Sequence, residues 1–300
     1  MKVLVTGATG FVGSRLCAAL EDGGHAVTAM TRRPDAYTGP GRPVGGDVTD
    51  PRSLPGALEG QDAAYYLVHS LDAADFTVRD RDGAIAFAEA AAGAGVQQVI
   101  YLGGLGDEAD DLSAHLRSRR EVESLLRDRV PTTVLRAGIV IGDGGISWEI
   151  LCQLIERLPM MITPRWVQTR CQPVALADAL VFLTAVLGRA DTLGETFEIG
   201  APEALTYRSM LETVASLDGR RRLIVPVPVL SPGLSSHWLR LITDVDLATA
   251  RALVDSMTNE VIVRDNRIND LVGHQPMSFR VAAELALADR RARQGHAAAT

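Results

Sequence analysis

Over the first 140 residues, short apolar runs alternate with amphipathic stretches. KVLVTG (2–7), HAVTAMTRR (25–33), AAYYLVHS (63–70), VQQVIYLGG (96–104) and TTVLRAGIVIG (132–142) have the length and apolar character of strands. FVGSRLCAALEDGG (11–24) instead carries apolar residues at helical spacing, through Phe11, Leu16, Ala19 and Leu20, and stops at Gly23-Gly24. An Ala-rich stretch around 79–94 and another near 111–128 predict two more helices. This alternation predicts an α/β fold: a doubly wound parallel sheet covered on both faces, with right-handed crossovers.

Beyond residue 142 the regularity fades. Helices are expected near 147–157, 175–189, 207–217, 234–256 and 278–292, with short apolar runs at TFEIG (196–200), RRLIVPVP (221–228) and EVIVRD (260–265). The expected organisation is a core over 1–142 and a smaller α+β lobe over 143–300, mostly helical and interleaved with the core near 170–200. The tail, RRARQGHAAAT, reads as frayed.

The first strand runs into TGATGFVG, which places Gly7, Gly10 and Gly13 between a strand and the opening of a helix. Gly7 permits the tight turn, Gly10 lets backbone approach a pyrophosphate, and Gly13 lets helix pack on strand. The helix start offers unpaired N–H groups to the phosphates, so Thr9, Phe11 and Val12 join the glycines as candidate contacts. This predicts a dinucleotide-binding, Rossmann-type core. The second strand ends on Arg32 and Arg33, with no acidic residue before Asp35. A planar guanidinium suits a ribose 2′-phosphate, which favours NADPH; NADH stays possible if Asp35 turns back to the ribose.

The helix LSAHLRSRREVESLL (112–126) raises a separate question. His115 and Arg119, one turn apart, share the arc of Leu112, Leu116, Val122 and Leu126, while Arg117, Arg120 and Glu121 are expected on the solvated side. Either the apolar face carries a satisfied core histidine and an arginine bridged to a carboxylate such as Asp178 or Glu149, or it carries site chemistry.

In order, TGATGFVG, GDVTD (46–50), YLVHS (66–70) and LRAGIVIG (135–142) resemble the extended or atypical short-chain dehydrogenases/reductases over most of residues 1–200. More narrowly, YYLVHS, YLGGLG and LSAHLRSRREVE, with PRWVQTRCQPVALADAL (164–180) and LSSHWLRLITDV (234–245), are similar to a bacterial NAD(P)H-binding subgroup. That subgroup is related to NmrA-type regulators and to the dehydrogenase-like accessory subunit of respiratory complex I. The resemblance implies that Asp47 and Val48 border the adenine. It places Leu67, Val68 and His69 along the ribose side, and Gly103, Ala137 and Gly138 near the nicotinamide.

The chain departs from the active members in two respects, the first being Gly103 and Gly104 where they carry a Ser or Thr at the end of the fifth strand. They pair a tyrosine acid with a lysine four residues on; here none of the five tyrosines has such a lysine, and Lys2 is the single lysine. In that helix register stands HLRSR, so His115 is the candidate acid and Arg119 the candidate anchor of the nicotinamide ribose, the latter unable to pass a proton because it stays charged. Gly104, Trp148, Met160 and Trp166 are candidates for the substrate pocket, although large apolar residues of this kind more often fill a core. VPVPVLSPGLSSHWLRLI (225–242) reads as a lid or a partner-binding helix centred on Trp238.

Composition narrows the function classes. A net charge of −7 argues against nucleic acid as the main partner, and no apolar run reaches the ~20 residues of a membrane span. Cys17, Cys152 and Cys171 lack metal-ligand spacing and read as reduced thiols, and the start shows no secretory pattern, so the expectation is cytoplasmic. Three functions fit: an NADPH-dependent oxidoreductase acting on a small apolar carbonyl, enone or quinone-like molecule; an epimerase or dehydratase using the same hydride; or an NADPH-binding sensor or scaffold without turnover. A homodimer is compatible with each.

Overall fold

The computed structural model describes residues 1–71, 73, 75–107, 109–226, 243–244 and 246–299. Seven parallel strands form the central sheet: β1 (Lys2–Val5), β2 (Ala26–Thr31), β3 (Arg42–Gly45), β4 (Ala63–Tyr66), β5 (Gln98–Gly104), β6 (Thr132–Ala137) and β11 (Thr196–Ile199). Their order is β11-β6-β5-β4-β1-β2-β3, so the chain winds outward from β1, first to one side and then to the other. Ligands of such sheets sit at the carboxyl ends of the strands, at this reversal.

Helices cover both faces. On one side α1 (Phe11–Asp22) and α6 (Leu176–Ala185) pack over a core containing Val3, Val5, Leu16, Ile100 and Phe182. On the other, α2 (Leu54–Leu58), α3 (Phe76–Gly93) and α4 (Ala114–Arg127) cover Leu4, Tyr66, Phe87, Tyr101 and Val122. The residues after β6 add α5 (Ile146–Arg157), α7 (Tyr207–Leu217), α8 (Leu247–Ser256), α9 (Arg267–Val272) and α10 (Phe279–Ala299). α5, α7, α8 and α10 enclose a third core around Trp148, Leu151, Met210, Val254 and Phe279, while Ile268 of α9 joins the core beneath α6. Three two-stranded sheets complete this part: β7 (Val140–Ile141) with β10 (Val174–Ala175), β8 (Met160–Thr163) with β13 (Leu223–Pro226), and β9 (Arg170–Cys171) with β12 (Leu205–Thr206).

The long run at 132–142 does not form one strand. β6 stops at Ala137, and a Cβ on Gly138 would stand 2.7 Å from the Gln172 carbonyl oxygen, so the chain crosses another segment there. Val140–Ile141 then pairs with β10 outside the main sheet. TFEIG is the seventh sheet strand, while EVIVRD contributes only an isolated bridge, Cys171 to Val261. α10 continues to Ala299 where fraying was expected. The segment expected as a lid or partner helix opens within β13 at 225–226, and its remainder, 227–242 with Trp238, lies outside the described residues. No helix among the described residues is long and apolar enough to cross a membrane.

Candidate active site

A cavity of about 500 Å³ opens at the carboxyl ends of β1, β4, β5 and β6. Gly7, Gly10, Phe11, Val12 and Gly13 form one wall, Leu67 and His69 follow β4, Gly103 and Gly104 end β5, and Ala137 and Gly138 end β6. His115 and Arg119 of α4 face the same space. The glycine pattern has a steric cause. Gly7 adopts φ +64°, and a Cβ on Gly13 would lie 2.2 Å from the Gly7 carbonyl oxygen, inside any tolerable contact. α1 can therefore seat on β1 only without a side chain at Gly13. Gly10 caps α1 without any side-chain hydrogen bond, leaving the first N–H groups of the helix for a ligand.

The helix face of α4 explains its two polar residues. Leu112, Leu116, Val122 and Leu126 are buried as the spacing predicts. Arg119 extends over the Tyr101 ring, its guanidinium carbon 5.6 Å from the ring centre. Its Nη1 is buried and has no hydrogen-bond partner among the described residues. The bridges considered for Arg119 are not formed: Asp178 is held by His274 and the Met277 amide, and Glu149 by Arg290 and Arg293. A buried donor of this kind costs stability until something accepts from it, and a nucleotide's hydroxyls or phosphates supply such acceptors. The glycine cradle, the uncapped helix start and this guanidinium thus fit an NAD(P)H molecule.

His115 donates or accepts through Nδ1 at Ser256 Oγ, 2.9 Å away. Burial, the Arg119 charge and His69 push its pKa from 6.5 to about 3. The ring is therefore neutral at physiological pH, so an imidazolium acid does not form there under ordinary conditions. The stability consequence has a definite sign. Between pH 6.5 and about 3 the unfolded chain binds the proton and the folded one does not, so stability falls as pH drops through that window. His115→Gln is expected to flatten the slope of unfolding free energy against pH by up to about 1.4 kcal/mol per unit there, read by urea melts at stepped pH.

Several predicted site residues stand elsewhere. Thr9, Arg32 and Arg33 are exposed at the rim side of β1 and β2 rather than in the cavity wall. Asp47 uses its carboxylate to accept from the Thr49 amide and hydroxyl, which shapes the turn after β3. Val48 and Val68 pack with the core beneath α3. Of the substrate-pocket candidates only Gly104 lines the cavity. Trp148 points into the third core, Met160 is exposed, and Trp166 lies one layer back, its ring 5.9 Å edge-on to Tyr207, which does line the cavity. Arg120, expected in solvent, is instead mostly buried, donating to the Gly104 and Gly106 carbonyls and pairing with Glu123.

The apolar end of the cavity joins Leu116 of the α4 stripe to residues the sequence did not single out: Leu105, Ile139, Tyr207, Leu253, Met257 and Val261, with Ser256 among them. The Gly144-Gly145-Ile146-Ser147 turn at the start of α5 forms another side. Its DGG sequence before a helix was a readable signal; Ser256, far along the chain, offered none. Asp80, on the buried face of α3, carries no local sequence signal either. Burial raises its pKa, opposed by Arg119 and by hydrogen bonds from Ser70 and Ser118.

A seven-stranded parallel sheet with a glycine-lined cavity at its switch point defines a dinucleotide-binding protein. Residues 7–150 match the NAD(P)H-binding family. A (4-alkanoyl-5-oxo-2,5-dihydrofuran-3-yl)methyl phosphate reductase of Streptomyces griseus is 31% identical over 73% of this chain and 74% of its own. A ceramide reductase of Caulobacter vibrioides is 28% identical over 86% and 79%. In fold, the chain is similar to the NADPH-dependent quinone oxidoreductase QOR2 of Escherichia coli, complexed with NADPH, with a TM-score of 0.74 and 20% identity over 94% and 98% of the chains. The chain belongs to the NAD(P)H-binding, atypical short-chain dehydrogenase/reductase family.

Proposed function

We propose that the protein is an NADPH-dependent reductase of an apolar carbonyl, enone or quinone-like acceptor. The observation that carries this reading is the buried Arg119 Nη1, without a partner among the described residues, in a cavity running from the glycine cradle to an apolar wall. The names of the Streptomyces and Caulobacter relatives, one an alkanoyl-bearing oxo-dihydrofuran reductase and the other a ceramide reductase, support an acceptor with apolar character. Gly7, Gly10, Gly13 and the first turn of α1 would hold the pyrophosphate, and Arg119 the nicotinamide ribose. Arg32, exposed just past β2, would reach a 2′-phosphate. When bound, the cofactor supplies the hydride. Leu105, Leu116, Leu253 and Met257 exclude water from the acceptor's apolar part.

No tyrosine activated for proton transfer stands in this cavity among the described residues. Tyr65, Tyr66 and Tyr101 are fully buried in the core, and burial and the neighbouring Cys171 raise the Tyr207 hydroxyl well above its ordinary value. The reduction therefore draws its proton from water or the substrate, which suits conjugate reduction, where the carbon protonates after hydride addition. The same lack of an acid favours a second reading, an NADPH-binding sensor. NADPH and NADH oxidation followed against medium-chain enones, ketones and quinones separates the two. Turnover of at least one acceptor is expected, with Arg32→Ala weakening NADPH binding about tenfold and leaving NADH unchanged. Tight NADPH binding with no acceptor consumed would establish the sensor.

A further inference from the structure

Ser256 ends α8 and meets three groups at once. Its hydroxyl lies 2.8 Å from the Ala252 carbonyl oxygen, 2.9 Å from His115 Nδ1 and 3.2 Å from Ser113 Oγ. A hydroxyl has one proton to give, and a carbonyl has none. Two oxygens 2.8 Å apart need a hydrogen between them, so the Ser256 proton belongs to the Ala252 contact. His115 Nδ1 and Ser113 must then both donate to Ser256. The opposite arrangement, Ser256 donating to Nδ1, leaves the Ser256–Ala252 contact as two facing lone pairs. Ser113 fits the first assignment: its oxygen accepts from the Leu116 amide as the cap of α4, and its proton is free to donate.

The neighbourhood holds this arrangement in place. The Asn259 side chain accepts from the Ser113 amide and donates to the Asp111 carbonyl, tying the start of α4 to the end of α8. The imidazole is thus fixed between two docked helices, and its only hydrogen bond among the described residues is through Nδ1.

We propose that Ser256 is a positioning residue that locks His115 as the Nδ1–H tautomer, so that Nε2 is a hydrogen-bond acceptor in the cavity and selects substrates carrying an O–H or N–H donor beside the reducible group. The substrate part rests on the reductase reading; the tautomer does not. The hydrogen-bond chain ends on a backbone carbonyl, which has no proton to relay, so His115 orients substrate rather than protonating it. The ligand class is a hydroxy- or amide-bearing apolar carbonyl compound.

The test is 15N NMR of the histidine rings, with the His115 signals identified by their loss in His115→Gln. Expected are a pyrrole-type Nδ1 and a pyridine-type Nε2 throughout roughly pH 5 to 8. Ser256→Ala should bring in the other tautomer, and Ser256→Thr should restore the original pattern. A pyrrole-type Nε2 in the unaltered protein, or a pattern unmoved in Ser256→Ala, would overturn the assignment. In the NADP⁺-loaded protein, 1-hydroxyundecan-2-one should shift Nε2 and bind about tenfold tighter than undecan-2-one, a preference lost in His115→Phe. Equal binding of the two ketones would overturn the substrate class. Failure of all acceptors to turn over, with the tautomer and the preference intact, would instead overturn only the reductase reading.

Discussion

Gly13→Ala is expected to weaken NADPH binding by roughly a hundredfold or more, because it displaces the helix end that receives the pyrophosphate. The added Cβ would stand 2.2 Å from the Gly7 carbonyl oxygen and 2.8 Å from its carbon, both backbone atoms with no rotamer to move aside. Relief requires α1 to lift from β1, which shifts the N–H groups of its first turn. Overpacking of this kind also costs about 1–3 kcal/mol of stability. Gly93→Ala is the control: it lies exposed at the end of α3 with nothing within 4 Å of its Cβ direction, so it should leave binding unchanged. Fluorescence titration with NADPH and urea melts check both variants. Unimpaired binding by Gly13→Ala would mean that the cradle is not the pyrophosphate site.

Glu123→Ala is expected to cost about 3–5 kcal/mol, the range for removing one partner of a buried ion pair. The Glu123 side chain is only 6% exposed and accepts from Arg136 through two nitrogens, at 3.0 and 2.8 Å, and from Arg120 at 3.3 Å. Arg127 approaches at 3.8 Å and the Thr196 hydroxyl donates at 3.3 Å. Taking away the carboxylate leaves guanidiniums crowded in a poorly solvated site. The effect reaches the cavity, since Arg120 also holds the carbonyls of Gly104, the last residue of β5, and of Gly106 just beyond it. Urea melts should show the loss, accompanied by a raised KM for the acceptor. A loss below about 1 kcal/mol would place the cluster with ordinary surface pairs.

What the sequence made legible is what local physics dictates. The parallel sheet followed from apolar runs of strand length alternating with helical periodicity, and the cradle from glycines at positions where backbone meets backbone. The buried stripe of α4 followed from its spacing. β3, RPVG, escaped because an edge strand paired on one side needs no apolar run, and its proline and glycine argue for a turn. The break after Ala137 escaped because it depends on the Gln172 segment crossing at Gly138. The helical angle of Arg120 points it to solvent, yet its long side chain folds back to the carbonyls of Gly104 and Gly106. Trp148, Met160 and Trp166 are pocket candidates by residue type alone, and residue type does not say that Trp148 and Trp166 fill a third core while Met160 stays exposed. The His115–Ser256 contact joins positions 141 residues apart and is visible only once α8 docks on α4.

NADPH titration of Arg119→Met against the unaltered protein, with melts of both unliganded forms, tests the placement of the cofactor most directly. The methionine keeps an unbranched apolar side chain beside Tyr101 and removes the guanidinium, whose buried Nη1 has no acceptor among the described residues. NADPH affinity should fall roughly 10- to 100-fold, the loss of a charge-assisted hydrogen bond, while unliganded stability holds or rises. NADPH bound by Arg119→Met as tightly as by the unaltered protein would contradict Arg119 as the cofactor anchor, and with it the reading of this cavity as a reductase site.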